Sequence, residues 1–143
     1  MIPSRSTRNE PFDPNSWMSR FTTFDSISDR GEYLCGVITP GIMISCEALF
    51  QKASKLPRVE IFAKPLSIIA KNTIASMNAG IVYGYAGLVE GIINRIRREV
   101  NIDLRVVATG GLAHLIAVEF PDIEEVDDYL NLKWLKIIFE RKQ

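Results

Sequence analysis

The residues best suited to chemistry are Ala108-Thr109-Gly110-Gly111-Leu112-Ala113. A strand that stops at paired glycines and re-enters a helix leaves backbone N–H groups free at a helix N-terminus. Such groups can cradle a phosphate or a nucleotide. The competing reading is a tight strand-to-helix turn with no ligand. Lys71-Asn72-Thr73 opens a long helical pattern, and Phe21-Thr22-Thr23-Phe24-Asp25 opens a hairpin. A hydroxyl at Thr73 can bond a polar ligand, or Asn72 or Thr73 can simply cap the helix. Thr22, Thr23 and Asp25 can equally be the polar face of an ordinary strand. Glu90 reads as a solvated or paired helix carboxylate. His114, the single histidine, reads as structural rather than catalytic.

Composition sets limits on what these residues can be part of. The chain has 143 residues, 47% hydrophobic and 24% charged, the make-up of one domain with an ordinary core. Seventeen basic residues balance seventeen acidic ones. That neutrality argues against a nucleic-acid binder working by phosphate neutralisation, and it leaves self-association open. Cys35 and Cys46 lack the spacing of a zinc site or a disulfide framework. They read as buried free thiols of a reducing compartment. Residues 1–15 are polar, with Pro3, Pro11 and Pro14 and no apolar run, unlike a secretory signal. The expected location is the cytoplasm.

The elements that must position the candidate residues follow from periodicity. Phe21–Ile27 and Glu32–Ile38 read as strands joined by Ser28-Asp29-Arg30-Gly31. Thr39 is expected to cap a helix with Pro40 at its first position, and Ile42, Cys46, Leu49, Ala53 and Leu56 to form its core-facing stripe up to Pro57. Arg58–Ala63 is a short candidate strand and Lys64–Ala70 a connecting loop. From Thr73 to Val100, Ile74, Met77, Ile81, Tyr85, Leu88, Ile92 and Ile96 keep helical spacing. Arg95, Arg97 and Arg98 close that helix, where cations complement its dipole. Asp103–Thr109 reads as a buried strand, Leu112–Val118 as a short helix, and Asn131–Arg141 as an amphipathic helix carrying Leu132, Leu135, Ile138 and Phe139. The order is that of an α/β layered domain.

Gly80, Gly84, Gly87 and Gly91 share one face of the long helix. Each costs about 0.8–1 kcal/mol against alanine, roughly 3–4 kcal/mol together. Close packing against another helix, within the domain or across a homodimer, would compensate. A membrane-embedded dimer helix is disfavoured by Asn78 and Glu90 within the span.

The segments Phe21–Asp25, Gly36-Val37-Ile38-Thr39-Pro40-Gly41, Ser45–Phe50, Lys55–Val59, Lys71-Asn72-Thr73, Gly80–Gly91 and Ala108–Ala113 occur together and in order. Taken together they resemble the second domain of type III pantothenate kinases, of the acetate and sugar kinase, Hsp70 and actin superfamily. The resemblance runs over about residues 22–141. It implies a ribonuclease H-like second domain of an actin-like ATPase-fold kinase, with the N-terminal domain missing. Residues 1–18 would be a disordered or unrelated leader, and residues 19–143 a single C-terminal kinase domain.

The family implies transfer of the γ-phosphate of ATP to pantothenate, giving 4'-phosphopantothenate in coenzyme A biosynthesis. It also implies ATP with Mg2+, a monovalent cation (K+ or NH4+) and a homodimer through the Thr73–Val100 helix. Neither a nucleic acid nor a membrane is an expected partner. By position, Thr73 would contact pantothenate, and Thr22, Thr23, Gly110 and Gly111 would lie on the nucleotide. The family's catalytic base and first phosphate loop belong to its N-terminal domain, so no catalytic residue is expected here. The hairpin normally begins Asp-x-Gly-Thr-Ala-Thr-Thr-Phe-Asp. In this chain Trp17 stands at the cation-binding aspartate, Ser19 at the glycine and Arg20 at the nucleotide threonine, so no metal ligand is expected. The resemblance therefore implies an incomplete, inactive fragment. The alternative is a non-catalytic, kinase-like dimerisation or regulatory protein.

Overall fold

The computed structural model describes residues 21–52, 57 and 64–141. Among the described residues two short sheets and four helices make up an α/β architecture. Strands β1 (Phe21–Ile27) and β2 (Tyr33–Pro40) form an antiparallel hairpin in which Thr22 faces Thr39 and Asp25 faces Gly36. Gly31 turns the hairpin at φ 79°, donating its N–H to the Ser28 carbonyl. Helix α1 (Ile42–Lys52) follows, then α2 (Thr73–Val100), β3 (Val106–Ala108), α3 (Ala113–Ala117), β4 (Ile123–Val126) and α4 (Leu130–Arg141). Strands β3 and β4 are parallel, with α3 in the crossover between them.

A two-stranded sheet is marginal alone in water and must bury one face. Both sheets do so against α2, which is the spine of the domain. Ile81, Val82, Tyr85, Val89 and Ile93 of α2 share one core cluster with Ile42 and Cys46 of α1, Ile116 of α3 and Phe120. Phe24 from the hairpin and Val106 and Ile123 from the parallel pair pack on that cluster. The helix is well terminated. The Asn72 side chain accepts the Ala75 N–H at 2.8 Å, and Asn101 closes the other end at φ 53° with its N–H on the Arg97 carbonyl. Arg97 itself donates to the Leu104 carbonyl at 3.1 Å and pairs with Asp122. It thus fastens the end of α2 to the β3–β4 unit.

Several expectations are corrected. Thr39 and Pro40 continue β2 instead of starting a helix, because Thr39 and Pro40 remain in register with Thr22 and Phe21. In the stripe expected on α1, Ile42 and Cys46 are buried but Leu49 is exposed; Ala53 and Leu56 lie outside the described residues, as does the candidate strand Arg58–Ala63. The buried face of α2 is broader than the expected stripe and holds part of it. Met77, Ile81, Tyr85 and Ile96 of the expected stripe are buried, and Ala79, Val82, Ala86, Val89 and Ile93 join them, while Ile74 is exposed and Leu88 and Ile92 are half-buried. The buried strand expected over Asp103–Thr109 shortens to Val106–Ala108, and β4 was not anticipated. Cys35 is half-buried, whereas Cys46 is buried as expected. On α4, Leu132 is exposed.

Candidate functional site

The Thr109-Gly110-Gly111 turn stands where β3 gives way to α3. Gly110 adopts φ 108°, a conformation that side chains rarely tolerate. At Gly111 an added Cβ would meet nothing within 4 Å, so this stretch of backbone is open to an incoming group. The Thr109 Oγ1 is buried and has no hydrogen-bond partner among the described residues. A buried hydroxyl without a partner is costly unless something completes it. The turn is held from behind, since the Ala113 N–H donates to the Gly110 carbonyl and the Asp127 N–H to the Ala108 carbonyl.

Asp127 also fixes the start of α4. Its carboxylate accepts the Tyr129 N–H at 3.0 Å and the Lys133 ammonium at 2.6 Å. The lysine contact and the backbone donor hold the Asp127 carboxyl below the ordinary 3.8, while the same bond raises Lys133 above 10.5. His114, on α3, lies 3.3 Å from Asp128 at the surface.

Thr22 and Thr23 are adjacent in sequence but point to opposite faces of β1, because strand side chains alternate. Thr23 is exposed on the outer face. Thr22 is half-buried on the inner face, where its hydroxyl contacts the Tyr85 hydroxyl of α2. Tyr85 in turn donates to the Pro40 carbonyl at 3.3 Å, and the Thr39 hydroxyl donates to the Thr22 carbonyl at 3.4 Å. Tyr85 was expected only as a member of an apolar stripe. The available signal was a hydroxyl on an otherwise aliphatic helix face, since a buried tyrosine finds a partner for its O–H.

Thr73 is exposed in the first turn of α2, beside a depression of about 600 Å³ lined by Ala70, Lys71, Asn72, Ser76 and Met77. The cap is made by Asn72, which leaves the Thr73 hydroxyl free of that duty. Twelve residues along α2 separate Thr73 from Tyr85, about 18 Å of helix. Among the described residues no hydrogen bond joins the Thr22–Thr23 segment to the glycine turn, or either of them to Thr73. What the three share is attachment to α2 and its core. Glu90 is exposed on α2.

The glycine face is open. Among the described residues, an added Cβ at Gly80, Gly84, Gly87 or Gly91 would meet nothing within 4 Å, so they do not fill that face. Gly80 and Gly84 border a groove of about 420 Å³ between α1 and α2, lined also by Ser45, Leu49 and Tyr85. No described helix is long and apolar enough to cross a membrane. Among the described residues, no three His, Cys, Asp or Glu side chains converge as a metal site. Trp17, Ser19 and Arg20, the altered stations of the hairpin, lie outside the described residues.

Comparison with known proteins agrees with the resemblance. A type III pantothenate kinase from Syntrophobacter fumaroxidans is 75% identical over 122 residues, covering 85% of this chain and 47% of that protein. Another from Geotalea uraniireducens is 63% identical over the same shares. A third, from Myxococcus xanthus, is 58% identical over 84% of this chain and 46% of its own length. The chain thus spans about half the length of these curated relatives. A solved structure from Campylobacter jejuni, described as a candidate transcriptional activator of the Baf family, has the same fold. It superposes with a TM-score of 0.59 at 20% identity, over 86% of this chain and 54% of its own. The family model for type III pantothenate kinase matches residues 21–95, just over half of the 143 residues, so the chain belongs to that family.

Proposed function

We propose that this chain is the nucleotide- and dimer-forming half of a type III pantothenate kinase, a ribonuclease H-like domain of the actin-like kinase kind. The reaction is transfer of the ATP γ-phosphate to the pantothenate hydroxyl, a step of coenzyme A biosynthesis in the cytoplasm. Phosphoryl transfer depends on positioning and charge stabilisation. In this reading, the Gly110–Gly111 backbone passes under the nucleotide, Thr22 and Thr23 lie on its phosphate side, and the Thr73 hydroxyl meets pantothenate. The open glycine face of α2 receives a second copy of the chain.

One observation carries the reading: a glycine turn with Gly110 at φ 108°, open space above Gly111 and a buried Thr109 hydroxyl that has no partner among the described residues. An adenine nucleotide fits such a turn, because backbone donors and a hydroxyl can meet it without side-chain obstruction.

Mg2+ with ATP, and K+ or NH4+, belong to the family reaction. Among the described residues no three His, Cys, Asp or Glu side chains converge, and no step is assigned through a metal held by this chain. The family's catalytic base and first phosphate loop lie in the half of its members that this chain does not match. The chain alone is therefore expected to bind ATP weakly and not to turn over.

The test is calorimetric titration of the purified chain with ATP–magnesium and with pantothenate in potassium buffer, alongside an assay for phosphopantothenate. ATP binding without product is the expected result. Turnover well above background would refute the incompleteness of the chain. A folded chain that binds neither compound would refute the half-site and favour a remnant whose surviving property is self-association.

A further inference from the structure

We propose that Tyr85 is a positioning residue for the nucleotide-side hydroxyl of Thr22, acting as a proton-switching partner between Thr22 and the Pro40 carbonyl. The inference rests on the reading of β1 as a nucleotide-side strand, and it gives a role to a residue to which the motif pattern assigns none.

Tyr85 is buried, 8% exposed, at the centre of α2, and its hydroxyl reaches the hairpin at two points. It contacts Thr22 Oγ1 and lies 3.3 Å from the Pro40 carbonyl oxygen. A phenol has one proton to donate and lone pairs to accept with, whereas a carbonyl only accepts. When the Tyr85 proton goes to Pro40, Thr22 must donate its own proton to Tyr85. A phosphate oxygen arriving at Thr22 is an acceptor and needs that proton. Rotation of the Tyr85 O–H from Pro40 to Thr22 Oγ1 supplies a replacement donor and frees the Thr22 O–H to donate a hydrogen bond to the phosphate. No bond to a heavy atom breaks, and no proton leaves its own oxygen.

The surrounding geometry fits this role. The Thr39 hydroxyl donates to the Thr22 carbonyl, so the Thr22 backbone is held from the neighbouring strand while its side chain is held from the helix. Thr22 is half-buried rather than sealed. The contact also joins the hairpin to the helix whose N-terminal turn carries Thr73. Nucleotide-side and pantothenate-side groups are therefore referenced to one rigid element.

The experiment is an ATP–magnesium titration of wild type, Tyr85→Phe, Thr22→Val, Thr22→Ser and the Tyr85→Phe/Thr22→Val and Tyr85→Phe/Thr22→Ser double variants, with a melting curve for each. Loss of one hydrogen bond predicts about three- to tenfold weaker ATP binding for Tyr85→Phe in the wild-type and Thr22→Ser backgrounds. No further loss is expected in the Thr22→Val background. Equal losses in every background would mean that Tyr85 is merely structural and would overturn the proposal, as would unchanged affinity. Should Tyr85→Phe fail to fold, the ¹³Cζ resonance of Tyr85 decides the matter. It should move on ATP addition in wild type and stay fixed in Thr22→Val, and the same movement in both overturns the proposal. Gly111→Ala separates the two readings. If ATP binds wild type and this variant weakens it while Tyr85→Phe does not, only the Tyr85 proposal falls. If wild type binds no ATP, both fall.

Discussion

Gly110 and Gly111 are neighbours with different physical demands. Gly110 needs its glycine for conformation, at φ 108°, whereas Gly111 needs it only if a ligand approaches, since the space above it is open. Gly110→Ala should therefore lower stability by about 1–2 kcal/mol and weaken ATP binding as a consequence. Gly111→Ala should leave stability within about 0.5 kcal/mol of wild type yet still weaken ATP binding. Thermal melting and titration of the two variants separate the effects, and an unchanged ATP affinity in Gly111→Ala would mean that the backbone there does not approach the nucleotide. The paired glycines were legible in the sequence, but their division of labour was not. Only the backbone angles and the empty space distinguish a strained position from an open one. The same holds for Asn72 and Thr73, two equally plausible caps until Asn72 is seen to accept the Ala75 N–H.

Among the elements, β4 shows why local pattern was insufficient. Ile123-Glu124-Glu125-Val126 is four residues with two carboxylates, and it becomes a strand because β3 supplies a parallel partner. The Asp127 cluster that follows ties this pair to α4 through Ala108, Tyr129 and Lys133. Its pH dependence has a definite sign. Asp127 is lowered, so its stabilisation is present above the ordinary value of 3.8 and is lost as pH falls through the lowered folded value. Lys133 is raised, so its share persists below 10.5 and is lost as pH rises through the raised folded value. The stability advantage of wild type over Asp127→Asn should thus form a plateau between those limits, decline at both ends and shrink with added salt. Denaturant unfolding across pH checks it; an advantage that grew on acidification would contradict the assignment.

For the whole molecule, the open glycine face makes the strongest claim. Among the described residues nothing lies within 4 Å of a Cβ placed at Gly84 or Gly87. Each Gly→Ala change should therefore stabilise the isolated protomer by about 0.8–1 kcal/mol through helix propensity. If a second copy packs there, the same changes should push the protomers apart. Wild type is expected to sediment as a dimer, and the Gly84→Ala/Gly87→Ala variant as a monomer with a higher melting temperature at low concentration. A monomeric wild type would remove the dimer from the proposed function.

By itself the sequence determined the family, the α/β class, the extent of the long helix and the positions of the glycine turn and Thr73. These depend on local signals: periodicity over about seven turns, capping residues and glycines at a strand end. The tertiary structure decided which face of α2 is buried, that Thr39 and Pro40 belong to a strand, that Ile123–Val126 pairs with β3, and that Tyr85 reaches Thr22. Each of these depends on contact between segments far apart in the chain. Thr22 and Tyr85, 63 residues apart, become partners only when the hairpin lies on the helix. Neither local spacing nor intrinsic propensity carries that distance, because burial and hydrogen bonding are settled by what finally packs on the other side.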